Sequence, residues 1–506
     1  MPQLATLHHL RTTASLTRWT NCLLAGQLDR RLSPWLCGAP LTALLKPSGG
    51  VRPIAVGQTL RRLTSRLCCT AARPSLPNLL LPSGHVGVNS GLEAAIHTLR
   101  LFLKRHGGDD DLCCLKLDMH NAFNECHRSA FLHRLHRDLP EIVAWVQWCY
   151  SSAAELHFGV HRILSTAGVQ QGDPLGPLLF SLTLLELLDA IGPVEGLSLQ
   201  LWYLDDGTVV GTRAAVRRFL ELLLEKGPQF GLFVNLEKTE LFWPSGDQLY
   251  PDFPVTIRRI NASSGGVTLL GSPTWGPDEF FRNFVRQRID TVLESQARLM
   301  DLENPQVALH LLRSCLGLCK LNHLQRTVPT SIVSDLWRHF DDGLRHSLGS
   351  ITQSSISDAA WQQASLPVRY GGLGLRTALP SAPAAFLGSC NASRLLCEGF
   401  LASNALHSPA SLRGADDADF PGELAARHFF AVQWPDRDNT LCLTSTRQKT
   451  LQEVIDKAAA RNSQRAKTTS KKVMTPDVDG SPTRAEFRGR RAWKDRQAEP
   501  QSQRQD

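Results

Sequence analysis

Three carboxylates stand where strands should end. Asp118 closes the apolar run Leu112–Leu117 and leads into Met119-His120-Asn121-Ala122-Phe123-Asn124; Asp205-Asp206 follow Trp202-Tyr203-Leu204 and precede Gly207. Paired acids on a turn are ordinarily a solvated loop, but here the apolar flanks hold the pair at the edge of a core. If that hairpin tip meets the end of the Asp118 strand, three carboxylates gather, and like charges resist joint ionisation unless a cation compensates them. Hard oxygen ligands select Mg²⁺, with Mn²⁺ as a substitute, over zinc. Two such ions about 3.5–4 Å apart stabilise both the attacking and the leaving oxygen of an in-line phosphoryl displacement.

Other sets offer less chemistry. Cys315, Cys319 and His323 fall at i, i+4 and i+8 on one helical face. Zinc would need a fourth ligand and closer spacing, so a helix packing on its neighbour is expected. Gly371-Gly372-Leu373-Gly374 lacks the strand and helix that flank a nucleotide loop and reads as a turn. His8-His9 carry no assigned role.

The elements that must position the acids follow from patterning. Lys46-Pro47-Ser48-Gly49-Gly50 is a turn cluster leading into a strand at Val51–Val56, with an Arg-rich helix at Leu60–Arg66. Helical spacing spans Leu92–Arg105, Ser129–His136, Glu141–Tyr150 and Arg213–Gly227, and resumes from Arg282 to about Leu324. Phe158–Thr166 is expected to pair as a hairpin before the loop Gly168–Pro177. Leu199–Gly207 and Thr208–Gly211 should flank an acidic tip.

The chain has 506 residues, too many for one core, and 42% apolar with 20% charged residues reads as globular. The longest apolar run, Pro174–Ile191, is interrupted by Glu186 and Asp189, and the N-terminus lacks the pattern of a secretory signal. The thirteen cysteines are odd in number, often adjacent, and never spaced C-x-x-C, which fits buried thiols in a reducing compartment. An intracellular setting, nucleus or cytoplasm, with no membrane partner is therefore expected. Net charge is +8, of which the segment after Ser463 carries about +5, so the body is nearly balanced and must bind polyanions through a local patch. From Ser463 the composition predicts a disordered basic tail, whose Lys471-Lys472, Arg488–Arg496 and Trp493 suit nucleic acid or a nuclear address as well as plain solvation.

The ordered series LDMHNAFN, QGDPLGPLLFSL, YLDD, GLFVNLEKTE and LLGSP resembles the successive palm motifs of reverse transcriptases, nearest to those of non-LTR retrotransposons and related retroelements. LKPSGGVRPIAVGQTLRRL resembles the fingers of that family, and SLPVRYGGLGLRTA its thumb-side extension. The resemblance covers about Leu41 to Leu396.

The family likeness implies an α+β right-hand polymerase: fingers, a palm of antiparallel sheet with helices behind, an α-helical thumb, and the basic tail. The expected partition is a mostly helical lead-in at 1–40, fingers at 41–111, palm at 112–280, thumb and connection at 281–400, an extension at 401–462 and the tail at 463–506. Asp118, Asp205 and Asp206 match the metal-binding aspartates, with the Met119 carbonyl completing one shell. Phe123 matches the side chain that rejects a ribose 2′-OH, and Lys46 and Arg52 match the cations that hold the incoming triphosphate. Gln171 and Gly172 match the loop against nucleotide and template. Lys238 matches the lysine that protonates departing pyrophosphate, and Leu270-Gly271 the turn gripping the primer end.

The implied reaction is extension of a DNA primer 3′-OH by deoxynucleoside triphosphates (dNTP) on an RNA template, with affinity set by phosphate contacts and steeply salt-dependent. Leu204 differs from the Ala, Met or Val common before the paired acids. Two alternatives stay open: a truncated or domesticated relative that binds without catalysis, and an RNA-directed RNA polymerase, which Phe123 and Leu204 disfavour. No Cys/His finger or endonuclease is recognisable, so a fragment, a degenerate copy or a product borrowing its nick from elsewhere is expected.

Overall fold

The computed structural model describes residues 2–46, 49–246, 252–261, 265–404, 422–423, 425–427 and 448–473. The chain divides into two units, Met1–Asp456 and Lys457–Asp506. Among the described residues, thirteen strands belong to the first: β1 (Ala39–Leu45), β2 (Val51–Ala55), β3 (Leu112–Leu117), β4 (Met119–His120), β5 (Ala154–Phe158), β6 (His161–Ser165), β7 (Leu197–Tyr203), β8 (Asp206–Thr212), β9 (Phe233–Val234), β10 (Glu240–Phe242), β11 (Arg258–Ile260), β12 (Val267–Leu269) and β13 (Ser272–Trp275).

The central sheet has the order β11-β10-β3-β8-β7 and is antiparallel except for the β10–β11 pair. Its strands are apolar at both parities, so both faces are covered. Cys113, Leu115 and Leu117 join a core with Phe180 of helix Gly176–Ile191 and Phe219 of helix Arg213–Lys226. Leu112 and Cys114 turn the other way, into a core with Leu99 of helix Gly91–His106 and Phe386 of helix Ala378–Asn404. Without helices on this second face, Leu112, Cys114, Leu199 and Leu201 would lie in water, a loss of about 1.5–3 kcal/mol for each large side chain.

A second sheet, β2-β1-β5-β6, carries the Lys46 turn. The hairpin expected at Phe158–Thr166 is displaced toward the N-terminus: Phe158 ends β5 opposite His161, and the turn is Val160 with Gly159, whose φ of +58° suits a residue without a side chain. A third core, around Trp337 and Phe340, packs helices Asp278–Ala297 and Thr330–Thr352.

The uninterrupted face expected for Cys315, Cys319 and His323 does not form. Helix Pro305–Ser314 stops at Cys315, a short 3₁₀ turn holds Cys319, and His323 lies in the separate helix Asn322–Thr327. Gly317, extended at φ −88°, lies in the break between them. Helix Gln448–Val473 continues past Ser463, where disorder was expected; its Ala, Lys, Arg and Gln are good helix formers. The remainder of the tail, 474–506, lies outside the described residues, as does most of the 401–462 extension. Among the described residues no helix is long and apolar enough to cross a membrane, and the twelve described cysteines are free thiols.

Candidate active site

The site is assembled by strand register. β3 and β8 pair from Leu112↔Thr212 to Leu117↔Gly207, so one further step sets Asp118 across from Asp206. β7 and β8 form a hairpin closing at Tyr203↔Asp206, which leaves Leu204-Asp205 as a two-residue turn; Asp206 is already strand rather than tip, one residue earlier than expected. Leu204 takes φ +58°, a strained conformation for a side chain of its size, costing about 1–3 kcal/mol. Gly207 is required because a Cβ there would stand 2.2 Å from the ring of buried Trp202, its cross-strand neighbour.

Past Asp118 the chain enters β4, which pairs with β9, and the Asn235 N–H donates to the Asp118 carbonyl at 2.8 Å. Asn235 O in turn accepts from the Lys238 and Thr239 N–H groups, so the Lys238 turn is fastened to the Asp118 strand. At the far wall, Lys46 closes the β1–β2 hairpin by exchanging backbone bonds with Gly49 and Gly50, both at positive φ, and Arg52 sits opposite Leu44.

These elements enclose a cleft of about 280 Å³ lined by Lys46, Arg52, Asp118, Met119, Phe123, Gln171, Asp205, Asn235 and Lys238 among others. Eight residues given a role from sequence thus share one space, together with Asn235, which was given none. Gly172, Asp206, Leu270 and Gly271 are not among its described walls. Phe123 lies flat on Phe180, centroids 4.7 Å apart, and is fixed by the core beneath it. Among the described residues, Lys46, Arg52 and Lys238 have no carboxylate partner within 4 Å, which leaves three cations available to a polyanion.

The acids carry the electrostatic signature of an uncompensated cluster. Burial and the neighbouring Asp118 push the Asp205 carboxyl above the usual range, opposed by Arg52 and Lys46. Asp206 is pushed up to about 6 by burial and by Asp205, with Lys116 opposing. Its side chain nonetheless reaches solvent. The donor set, carboxylate oxygens beside a backbone carbonyl, suits a hard divalent cation. Yet among the described residues no three Cys, His, Asp or Glu side chains converge closely enough to form a finished cation site.

Two residues that sequence reasoning passed over set the loop after Gly168. Arg61, in the Arg-rich helix Thr59–Ala72, donates to Asp173 at 2.9 Å, to Gln170, and to the Cys37 carbonyl at 2.7 Å. The pair is almost fully enclosed, 1% and 4% exposed. Between Gln170 and Asp173, the Gln171 carbonyl accepts the Ala55 N–H at 2.7 Å. Gly172 has φ +120°, and a Cβ there would meet the Ala55 carbonyl oxygen at 2.6 Å, so the close approach it permits is to strand β2. Gly172→Ala should therefore lower stability by about 1–3 kcal/mol. An unchanged denaturant midpoint would show that loop and strand are not pressed together.

Residues 44–272 match the family described as reverse transcriptase (RNA-dependent DNA polymerase). The chain is similar to the retrotransposable element SLACS 132 kDa protein of Trypanosoma brucei gambiense, 25% identical over 362 residues, 69% of this chain. It spans 29% of that protein's length. Among solved structures it is similar to a telomerase from Candida albicans in complex with a TWJ fragment of telomeric RNA, with TM-score 0.42, 11% identity, and 82% of this chain and 65% of that one covered. An apo telomerase from Candida tropicalis gives TM-score 0.39, 12% identity, and coverage of 75% and 68%.

Proposed function

We propose, from the premise that residues 44–272 belong to the reverse transcriptase (RNA-dependent DNA polymerase) family, that this chain extends a DNA primer along an RNA template as part of a non-LTR retroelement. One observation carries the reading: a single cleft is lined by Asp118 and Asp205 together with the cations Lys46, Arg52 and Lys238. Carboxylates alone would repel a triphosphate, and cations alone would bind it without activating a hydroxyl.

Asp118, Asp205 and Asp206, with the Met119 carbonyl, would hold Mg²⁺ or Mn²⁺, which supplies charge neutralisation and polarisation of the reacting phosphoryl oxygens. Lys46 and Arg52, on one hairpin, hold the triphosphate of the incoming nucleotide, and Gln171 borders its base and the template. Lys238 stands ready to give a proton to the departing pyrophosphate. Leu270-Gly271 steadies the primer end. Fingers at 41–111, palm at 112–280 and thumb at 281–400 are the corresponding divisions of the chain.

Phe123 is the sugar gate in this reading. Its ring is backed by Phe180, so it cannot swing away from a 2′-OH. Phe123→Ala should narrow the preference for deoxy- over ribonucleotides by about 10²-fold, a buried polar mismatch being worth a few kcal/mol. Equal discrimination by wild type and variant would remove the gate assignment. The reaction itself is tested by extension of oligo(dT) on poly(rA) with dTTP and Mg²⁺. Product that requires the RNA template supports the reading; its absence, or preferential use of UTP, rejects it.

A further inference from the structure

The turn Leu270-Gly271 joins β12 to β13 with both residues in the left-handed region, φ +48° and +77°. Glycine takes this freely, but a leucine there is strained, and such strain persists only where the surroundings fix it. Two clamps fix it from opposite sides. The His323 Nε2 lies 3.0 Å from the Leu270 carbonyl oxygen. A carbonyl can only accept, so that nitrogen carries the proton. On the other side, buried Arg100 donates to the carbonyls of Pro273 at 2.9 Å and Thr274 at 3.3 Å, directly after the turn.

The two clamps are themselves joined. Arg326, one helical turn after His323, forms a bidentate pair with Glu93, with Nη2 to Oε2 at 2.6 Å. Glu93 and Arg100 share helix Gly91–His106. The ring of contacts therefore closes: turn, His323, Arg326, Glu93, Arg100, and back to β13. Ser389 adds a hydrogen bond to Glu93 at 2.8 Å from helix Ala378–Asn404. An isolated histidine on a surface turn would hold nothing; here it is the thumb-side fastening of a strained hairpin.

We propose that His323 is a positioning residue that fixes the Leu270-Gly271 turn against the primer end, an inference that rests on the polymerase reading above. It touches no reacting atom. Its effect comes through the Leu270 carbonyl, and displacement of a primer terminus by about 1 Å is enough to slow transfer up to about 10²-fold.

The test compares His323→Gln, which keeps a donor, with His323→Leu, which keeps the bulk and loses it; His323→Ala is a second donor-free variant should the leucine fail to fold. The first dTTP addition to oligo(dT) on poly(rA) is followed by rapid quench, with active sites counted from the burst amplitude so that misfolded protein does not enter. The donor-free variants should add the first nucleotide about 10-fold more slowly per active site, with half-saturation by dTTP unchanged, while His323→Gln stays within about twofold of wild type. Equal rates per active site in all variants, or a glutamine variant as slow as leucine, would overturn the positioning role. Failure of the wild type to extend at all would instead sink the polymerase reading on which the role depends.

Discussion

Asp205→Asn should lose at least about 10³-fold in primer extension while the metal-free protein becomes harder to melt. The two effects share one cause. Burial and Asp118 raise the Asp205 carboxyl's affinity for a proton, so its ionised form disfavours the folded state, and an amide removes that cost. The sign follows from linkage: a carboxyl raised in the fold weakens stability above its folded value and relieves it as pH falls toward the ordinary 3.8. For Asp206 the relief should therefore set in as pH drops through about 6. Added Mg²⁺ should reverse the ranking, since a ligand bound only by the folded state stabilises it by about 2.7 kcal/mol at a hundredfold excess over Kd. Thermal melts with and without Mg²⁺ check this; an Asn variant that melts lower without metal would contradict the account.

Breaking the Arg61–Asp173 pair should be the most damaging single change away from the acids. Arg61→Met leaves Asp173 charged in a space that is 4% exposed, and removal of one partner from a buried pair costs about 3–5 kcal/mol. The hydrogen bonds to Gln170 and to the Cys37 carbonyl go with it. Because the Gln170–Asp173 loop also lends its Gln171 carbonyl to Ala55, half-saturation by dTTP should rise in the protein that remains folded. The double change Arg61→Met with Asp173→Leu should recover part of the loss, since an apolar pair needs no solvation. Urea unfolding of the three variants checks this, and a single variant within about 1 kcal/mol of wild type would show the pair to be dispensable.

What the sequence discloses is set by the range of the interactions involved. The apolar run LCCLKLD ending in an acid and the Gly after Asp205-Asp206 are local signals, so strands and acids are legible in the sequence. The one-residue shift of Asp206 from turn to strand was not, because it depends on Leu204 accepting a positive φ, which residue type disfavours. The second covered face of the sheet needed helix Ala378–Asn404 to return from far along the chain. Arg61 lies in the helix read from sequence only as Arg-rich; its helical spacing with Thr64, Ser65 and Cys68, all buried, is the signal available there. His323 was grouped with Cys315 and Cys319 by spacing, and the break at Gly317 sends it to Leu270 instead.

The central claim is that Asp118, far in sequence from Asp205 and Asp206, serves the same cations they do. Its most direct measurement is the number of Mn²⁺ ions bound per chain in the complex with RNA template, DNA primer and dTTP, counted from the loss of free Mn²⁺ signal in electron paramagnetic resonance. Wild type should take up about two ions, and Asp118→Asn and Asp205→Asn should each bind fewer and more weakly. If Asp118→Asn takes up as many ions as wild type with the same affinity, the aspartate is no part of the site.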